Sequence, residues 1–136
     1  MTQADKDLLL KDLSARLPYD VKGVVTFHKN MTETREEVRI IDGKLYDRFA
    51  KFQDSWYDNV TIKPYLFPMS SMTDEQKEEF ESYFGYMPFY NKNEYEHVTP
   101  YFWVDLIVDF YCKNHLDYRG LIPMGLANDA TGKNIY

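Results

Sequence analysis

The residues whose types and spacing could do chemistry are concentrated late in the sequence. Cys112 and His115 are three positions apart and Asp109 lies one turn earlier, so a helix would bring them near one another. Thiolate, imidazole and carboxylate groups bind zinc, and a thiolate beside an imidazole can be a nucleophile. His97 or His28 could supply a further ligand. A small metal- or thiol-dependent enzyme is therefore one hypothesis.

A structural role explains the same residues with fewer assumptions. A cysteine on a buried helix is usually a small apolar residue, and a histidine near a helix end interacts favourably with the helix dipole. The spacing matches no metal signature, the glycines form no phosphate-binding loop, and Ser70 and Ser71 lack the turn of an activated serine. The sequence therefore predicts no catalytic residue, no metal site and no cofactor.

Aromatic residues make up 17% of the chain, including 12 tyrosines, and they favour a binding function. Residues 86–98 form a predicted aromatic loop whose exposed rings, with Tyr83, would suit a protein contact. The alternative, in which these rings close the core over a long loop, stays open. The turn at residues 118–120 is a second candidate contact. The predicted binding residues are Tyr86, Phe89, Tyr90, Tyr95, Tyr118 and Arg119.

The charge balance argues against nucleic acid as the main partner. The formal net charge is −6, and phosphate backbones attract basic surfaces. A nucleic-acid-linked regulator would need a local basic face, for which Lys44, Arg48 and Lys51 on a predicted strand are the candidates. A protein partner is the expectation, and a homodimer through an exposed strand edge is a further one.

The length and the single cysteine indicate the class of protein. A chain of 136 residues fits one domain, residues 1–136, with a core of its own. One cysteine cannot form an intramolecular disulfide, which suits a reducing compartment. The first residues do not resemble a signal peptide, and no apolar run is long enough to cross a bilayer. We expect a cytoplasmic protein.

Three helices are predicted from their caps and apolar spacing. Residues 2–17 begin at Thr2, which pairs with Asp5 as in a capping box. The second helix begins at Thr73, with Gln76 in the reciprocal position. The third covers residues 100–115 and begins at a proline, whose missing N–H costs nothing there.

Four short strands are predicted between the first and second helices. Residues 21–27 form the first, and residues 29–37 form a loop. Residues 38–46 form a hairpin around Asp42 and Gly43, a dipeptide typical of tight turns. Residues 56–62 form another strand, and residues 64–68 a proline-stiffened connector. The tail docks through Leu121, Ile122, Met124 and Leu126. The fold class is thus α+β, a small antiparallel sheet of about four strands flanked by three helices, with closure into a barrel left open.

Three segments carry a resemblance to a known family. They are residues 7–19 (DLLLKDLSARLPY), residues 62–73 (IKPYLFPMSSMT) and residues 115–122 (HLDYRGLI). These strings resemble a family of small uncharacterised proteins of gut Bacteroides-type bacteria and of their phages and prophages. The resemblance brings no activity and no catalytic residue. It implies a phage or mobile-element origin and an accessory role, such as binding a host enzyme or a defence component.

Overall fold

A computed structural model describes residues 1–29, 33–51, 59–84 and 100–136. These residues contain four α-helices and a four-stranded sheet, so the predicted α+β class is confirmed. The described helices number one more than predicted. In chain order the elements are α1 (Gln3–Arg16), β1 (Lys22–Lys29), β2 (Glu33–Ile40), α2 (Gly43–Lys51), β3 (Asn59–Leu66), α3 (Asp74–Phe84), α4 (Pro100–Lys113) and β4 (Asn128–Asp129).

Two helices begin with the capping boxes that the sequence predicts. The Thr2 hydroxyl accepts from the backbone N–H of Asp5 at 3.1 Å, and the Asp5 carboxylate accepts from the N–H of Thr2 at 3.3 Å. Thr73 and Gln76 exchange the same two hydrogen bonds at 3.1 and 2.9 Å. Each pair satisfies N–H groups that a helix start would otherwise leave without partners.

The sheet is mixed and open, which corrects two expectations. The strand order is β2-β1-β3-β4, with β1 antiparallel to both of its neighbours and β4 parallel to β3. Parallel strands need a long crossover, and the chain between β3 and β4 contains α3 and α4. The prediction of an all-antiparallel sheet is therefore wrong, and the described strands do not close into a barrel.

The predicted hairpin at residues 38–46 is also wrong. Residues 33–40 form β2, where a loop was expected up to residue 37, and Gly43 begins α2 instead of turning the chain. The Asp42 carboxylate accepts from the N–H of Leu45 at 2.9 Å, so it caps the helix. Leu45 and Phe49, four residues apart, are both buried on α2. Burial of these two side chains favours a helix that begins after Asp42 over a tight turn at Asp42 and Gly43.

The predicted connector at residues 64–68 begins too early. Pro64 is paired within β3, opposite Gly23 of β1, and the strand continues to Leu66. A Cβ atom at Gly23 would lie 2.7 Å from the Lys63 carbonyl oxygen and 2.8 Å from the Pro64 Cα. The missing side chain at Gly23 thus lets β1 approach the proline closely.

The described core has two parts. Leu9 and Leu13 of α1, together with Leu45 and Phe49 of α2, cover one face of the sheet. The second part is aromatic: Phe80 of α3 lies 5.5 Å from the Phe110 ring of α4, centroid to centroid, and other rings extend the cluster. The sheet therefore packs against helices through one face only among the described elements.

The tail after α4 docks mostly as predicted. Leu121 and Leu126 are buried and Ile122 is partly buried, but Met124 is exposed, so its predicted docking is wrong. The Asp117 carboxylate accepts from the N–H groups of Leu121 and Ile122 at 2.8 and 2.9 Å, which fixes the turn. In the described ranges, no helix is long and apolar enough to cross a membrane.

Candidate binding face of the sheet

The Tyr118–Arg119 turn lies against a buried charged cluster rather than standing alone. Arg16 at the end of α1 donates to both oxygens of the Asp12 carboxylate, at 2.7 and 3.2 Å, and both side chains are fully buried. Arg16 Nη2 also donates to the Leu116 carbonyl at 2.7 Å. Arg119 Nε lies 3.3 Å from Asp12 Oδ1. The Asp12 carboxylate therefore contacts two guanidinium groups. Through Arg119 and the Leu116 carbonyl, this cluster links the tail to α1.

Tyr118 contacts both of these arginines through its ring. The Cζ atoms of Arg16 and Arg119 lie 5.4 and 4.9 Å from its ring centroid. Burial raises the pKa of the Tyr118 hydroxyl, and the nearby Cys112 thiol raises it further. The hydroxyl is near Cys112 and Arg119, but its geometry makes no hydrogen bond to a described group. Tyr118 and Arg119 hold the tail in place. Their predicted role in binding a partner stays a prediction.

The metal or thiol hypothesis gains no support from the geometry. Cys112 is fully buried, and burial raises the pKa of its thiol, which disfavours the reactive thiolate. His115 lies beyond the end of α4 at a φ of 56°, so the three residues do not share one helix as predicted, and Asp109 is exposed. Within the described part of the chain, no group of three possible ligands could hold a metal ion.

His115 instead stacks on Tyr136, a contact that the sequence analysis missed. The ring centroids are 3.6 Å apart and the planes differ by 10°. Burial lowers the pKa of His115 to about 4, helped by the positive charges of Arg16 and Lys22. The Tyr136 hydroxyl accepts from the Lys22 N–H and donates to the Tyr65 carbonyl, both at 2.8 Å. Tyr136 therefore fastens the tail across the ends of β1 and β3.

The face of the sheet that the core leaves open contains a groove of about 490 Å³. Strand alternation places Val24 and Thr26 of β1, with Thr61 and Lys63 of β3, on this face, opposite the buried Val25 and Ile62. Tyr65, Leu126 and Asn128 extend the lining towards β4, and Met1 and Glu36 complete its rim. The lining thus contains both hydrogen-bonding and apolar side chains.

Exposed aliphatic side chains continue this face onto β2. Val38 is 54% exposed and Ile40 is 47% exposed, and both point to the groove side because they pair with Val24 and Lys22. We call the groove with these two residues the open face. Alternating polar and apolar residues in β1 and β3 are the sequence signal for this face, but the predicted loop at residues 29–37 leaves out most of β2.

The opposite side of β2 bears a basic cluster around one aromatic ring. The guanidinium carbons of Arg35, Arg39 and Arg48 lie 5.1, 5.8 and 5.7 Å from the centroid of the Phe27 ring. Arg48 comes from α2, which also contains Lys44 and Lys51, so the predicted basic face lies on a helix and not on a strand.

The other predicted binding residues lie outside the described part of the chain: Tyr86, Phe89, Tyr90 and Tyr95, together with the histidine at position 97. Comparison with family models, with curated proteins and with solved structures finds no match to this chain.

Proposed function

We propose that this chain is an accessory protein of a phage or mobile element that binds another protein through the open face. The single observation that carries the proposal is the groove of about 490 Å³ beside the exposed Val38 and Ile40. Grooves of this size accommodate several side chains of a partner. The proposal places the protein in the cytoplasm of a bacterial host.

The chemistry of the groove supports a peptide segment as its occupant. Thr26, Thr61 and Asn128 offer hydrogen-bonding groups, and Val24 and Leu126 offer apolar contact. Lys63 provides a positive charge in the groove lining, which favours a partner with a carboxylate near this point. Such a combination can select a partner by both charge and shape.

The contacts predicted from the sequence remain part of the proposal. The aromatic residues Tyr86, Phe89, Tyr90 and Tyr95 stand as a second contact segment. Arg119 keeps 22% of its side chain exposed beside the buried cluster, so a partner could still reach it. The resemblance of three segments to proteins of Bacteroides-type bacteria and their phages supports the accessory role.

The test is capture of a partner from nuclease-treated lysate of a prophage-bearing Bacteroides-type host, read by mass spectrometry. The wild-type protein should capture one stoichiometric partner. The double variant Thr61→Arg, Lys63→Glu should lose it, because both side chains are exposed in the groove and neither supports the core. Lys77→Glu, a matched charge reversal at an exposed position of α3, should keep it.

A second set of variants separates the open face from the aromatic segment. Replacing Tyr86, Phe89, Tyr90 and Tyr95 by Ala should abolish capture if those rings contact the partner, provided that circular dichroism shows a folded protein. Capture that survives the groove variant would remove the open face as the site. Absence of any partner above background would count against the protein-binding function itself.

A nucleic-acid-linked regulator is the second candidate, and the basic cluster around Phe27 is the observation that favours it. Arg35 and Arg39 reach this ring from β2, and Arg48 reaches it from α2. Arginine groups held in this way can contact phosphates and stack on bases. A fluorescence-anisotropy titration with single-stranded and duplex oligonucleotides at low salt tests it, and no binding there would end this candidate.

A further inference from the structure

Strand β2 has one side without a described neighbour. It pairs with β1 along its whole length, from Lys22 opposite Ile40 to Lys29 opposite Glu33, and it stands last in the strand order. All its side chains except that of Glu37 are exposed. An edge of this length presents unpaired N–H and C=O groups that can bind another strand.

The side of β2 that faces the helical layer has an alternating charge pattern. Successive side chains on this side are Glu33, Arg35, Glu37 and Arg39. Arg35 and Arg39 point this way, since both lie over the Phe27 ring. Within one copy, Arg35 Nε lies 3.0 Å from Glu37 Oε1. The pattern is therefore minus, plus, minus, plus along one face of an exposed edge.

This pattern is complementary to itself in three antiparallel registers of β2, and the register centred on Glu36 makes the most opposite-charge pairs, four against two each for centres at Thr34 and Val38. If Glu36 lies opposite Glu36 of a second copy, Glu33 faces Arg39 and Arg35 faces Glu37, and symmetry repeats each pair. Moving the centre of symmetry to Glu37 would place Arg35 opposite Arg39, and moving it to Arg35 would place Glu33 opposite Glu37. Both shifts oppose like charges, which destabilises strand pairing.

We propose that the chain forms a two-fold homodimer through antiparallel β2 strands with Glu36 on the symmetry axis. The two four-stranded sheets then join edge to edge, with the helices of both copies on the same side. Val38 of each copy lies opposite Thr34 of the other on the open face, which covers part of an exposed aliphatic side chain. This inference goes beyond the proposed function, because it needs no partner other than the chain itself.

The register has one unfavourable contact, and that contact gives a specific test. Two Glu36 carboxylates face each other across the axis, so Glu36→Gln should tighten the dimer. In sedimentation equilibrium of the purified protein, Arg35→Glu or Glu37→Arg should each raise the dimer dissociation constant about tenfold, because each places like charges opposite one another twice. The double variant Arg35→Glu, Glu37→Arg restores opposite charges and should return the constant to near its wild-type value.

Disulfide trapping tests the register directly. Directly opposed residues of antiparallel strands have Cα atoms about 4.5–5.5 Å apart, within the range of a disulfide, so Glu36→Cys should cross-link two copies on mild oxidation. Val38→Cys is the matched control, since its two copies would be displaced by about 13 Å along the strands. The natural Cys112 is buried, so it should give little background.

Three results would overturn the proposal. The first is a wild-type protein that stays monomeric at the highest concentration at which it is soluble. The second is a dimer whose dissociation constant ignores the charge reversals, because another surface would then form it. The third is cross-linking of Val38→Cys as efficient as that of Glu36→Cys. All three use purified protein, so they are independent of partner capture from lysate.

Discussion

Two ion pairs connect the C-terminal end of α4 to neighbouring helices. One of them is buried and the other is exposed to solvent. Towards α1, the fully buried Asp12–Arg16 pair holds the Leu116 carbonyl just past the helix. Towards α3, Lys113 Nζ lies 2.5 Å from Glu79 Oε1, with side chains 46% and 38% exposed. The N···O distances in the two ion pairs are similar, but only the Asp12–Arg16 pair is shielded from solvent. The distance within an ion pair therefore does not show how much the pair contributes to stability.

The physical reason lies in what remains when one partner is removed. An exposed charge without its partner is solvated again, so an exposed pair contributes little. A buried charge without its partner stays in a poorly polarisable surrounding, which costs much more. Arg16 also donates to the Leu116 carbonyl, which accepts from the Tyr118 N–H as well, so the loss of Arg16 would be felt mainly by the buried Asp12 carboxylate.

The largest effect is expected for Arg16→Met. Met fills similar space without charge, so the variant leaves the buried Asp12 with only the longer contact to Arg119. We expect the free energy of unfolding to fall by about 3–5 kcal/mol. Urea denaturation followed by circular dichroism measures it. Lys113→Met, the matched change in the exposed pair, should cost less than about 1 kcal/mol; equal losses in the two variants would contradict the comparison.

The second effect is a loss of stability at acidic pH, caused by His115, which lies near the buried Asp12–Arg16 pair. Its folded pKa of about 4 lies below its unfolded value of 6.5. The unfolded chain therefore takes up the proton first, and stability falls as the pH drops from about 6.5 to about 4. The loss is at most about 3 kcal/mol.

His115→Asn is the variant that isolates this effect. Asn does not titrate, and it tolerates the positive φ of 56° at this position. Its unfolding free energy, measured at several pH values between 4 and 8, should change less over that range than that of the wild type. An identical pH dependence in both proteins would show that His115 does not titrate as its burial indicates.

Tyr136→Phe should give a smaller loss, about 1–2 kcal/mol. The variant keeps the ring on His115 but removes the hydroxyl that bridges the Lys22 N–H and the Tyr65 carbonyl. Hydrogen exchange should accelerate at the Lys22 amide more than at buried amides of α1. Unchanged exchange at that amide would show that water replaces the hydroxyl without cost.

The sequence predicted those features of the fold that depend on contacts between residues close together in the chain. The capping boxes of α1 and α3 involve residues three positions apart, so they could be read directly. The Asp42–Gly43 dipeptide suits both a tight turn and a helix start, and only the burial of Leu45 and Phe49 decides between them. Strand β4 has two residues and exists through its pairing with Tyr65 and Leu66, which no local pattern encodes.

The candidate sites show the same limit. The open face could be predicted in part, because Val24 and Thr26 alternate with buried neighbours in β1. The buried cluster could not, since Arg16 meets Leu116 across 100 positions of sequence and a charged residue is normally expected outside. The resemblance of residues 115–122 to a known family suggested that Tyr118 and Arg119 contact a partner. The structure adds contacts of both residues with α1, which give them a second role.

The smallest effect is expected in the exposed pair, and it completes the comparison. A double-mutant cycle with Glu79→Gln and Lys113→Met should give a coupling energy of about 0.2–1 kcal/mol.

Lys113 and the Tyr83 hydroxyl both donate to Glu79, and these bonds hold its pKa below the ordinary value. The stability from this pair is therefore present above the ordinary carboxyl pKa and is lost as the pH falls through the folded one. An NMR titration should show the Glu79 pKa rising in Lys113→Met but staying below its ordinary value, because Tyr83 remains. A coupling as large as the loss of about 3–5 kcal/mol expected for Arg16→Met would mean that exposure does not determine how strongly the two links hold α4.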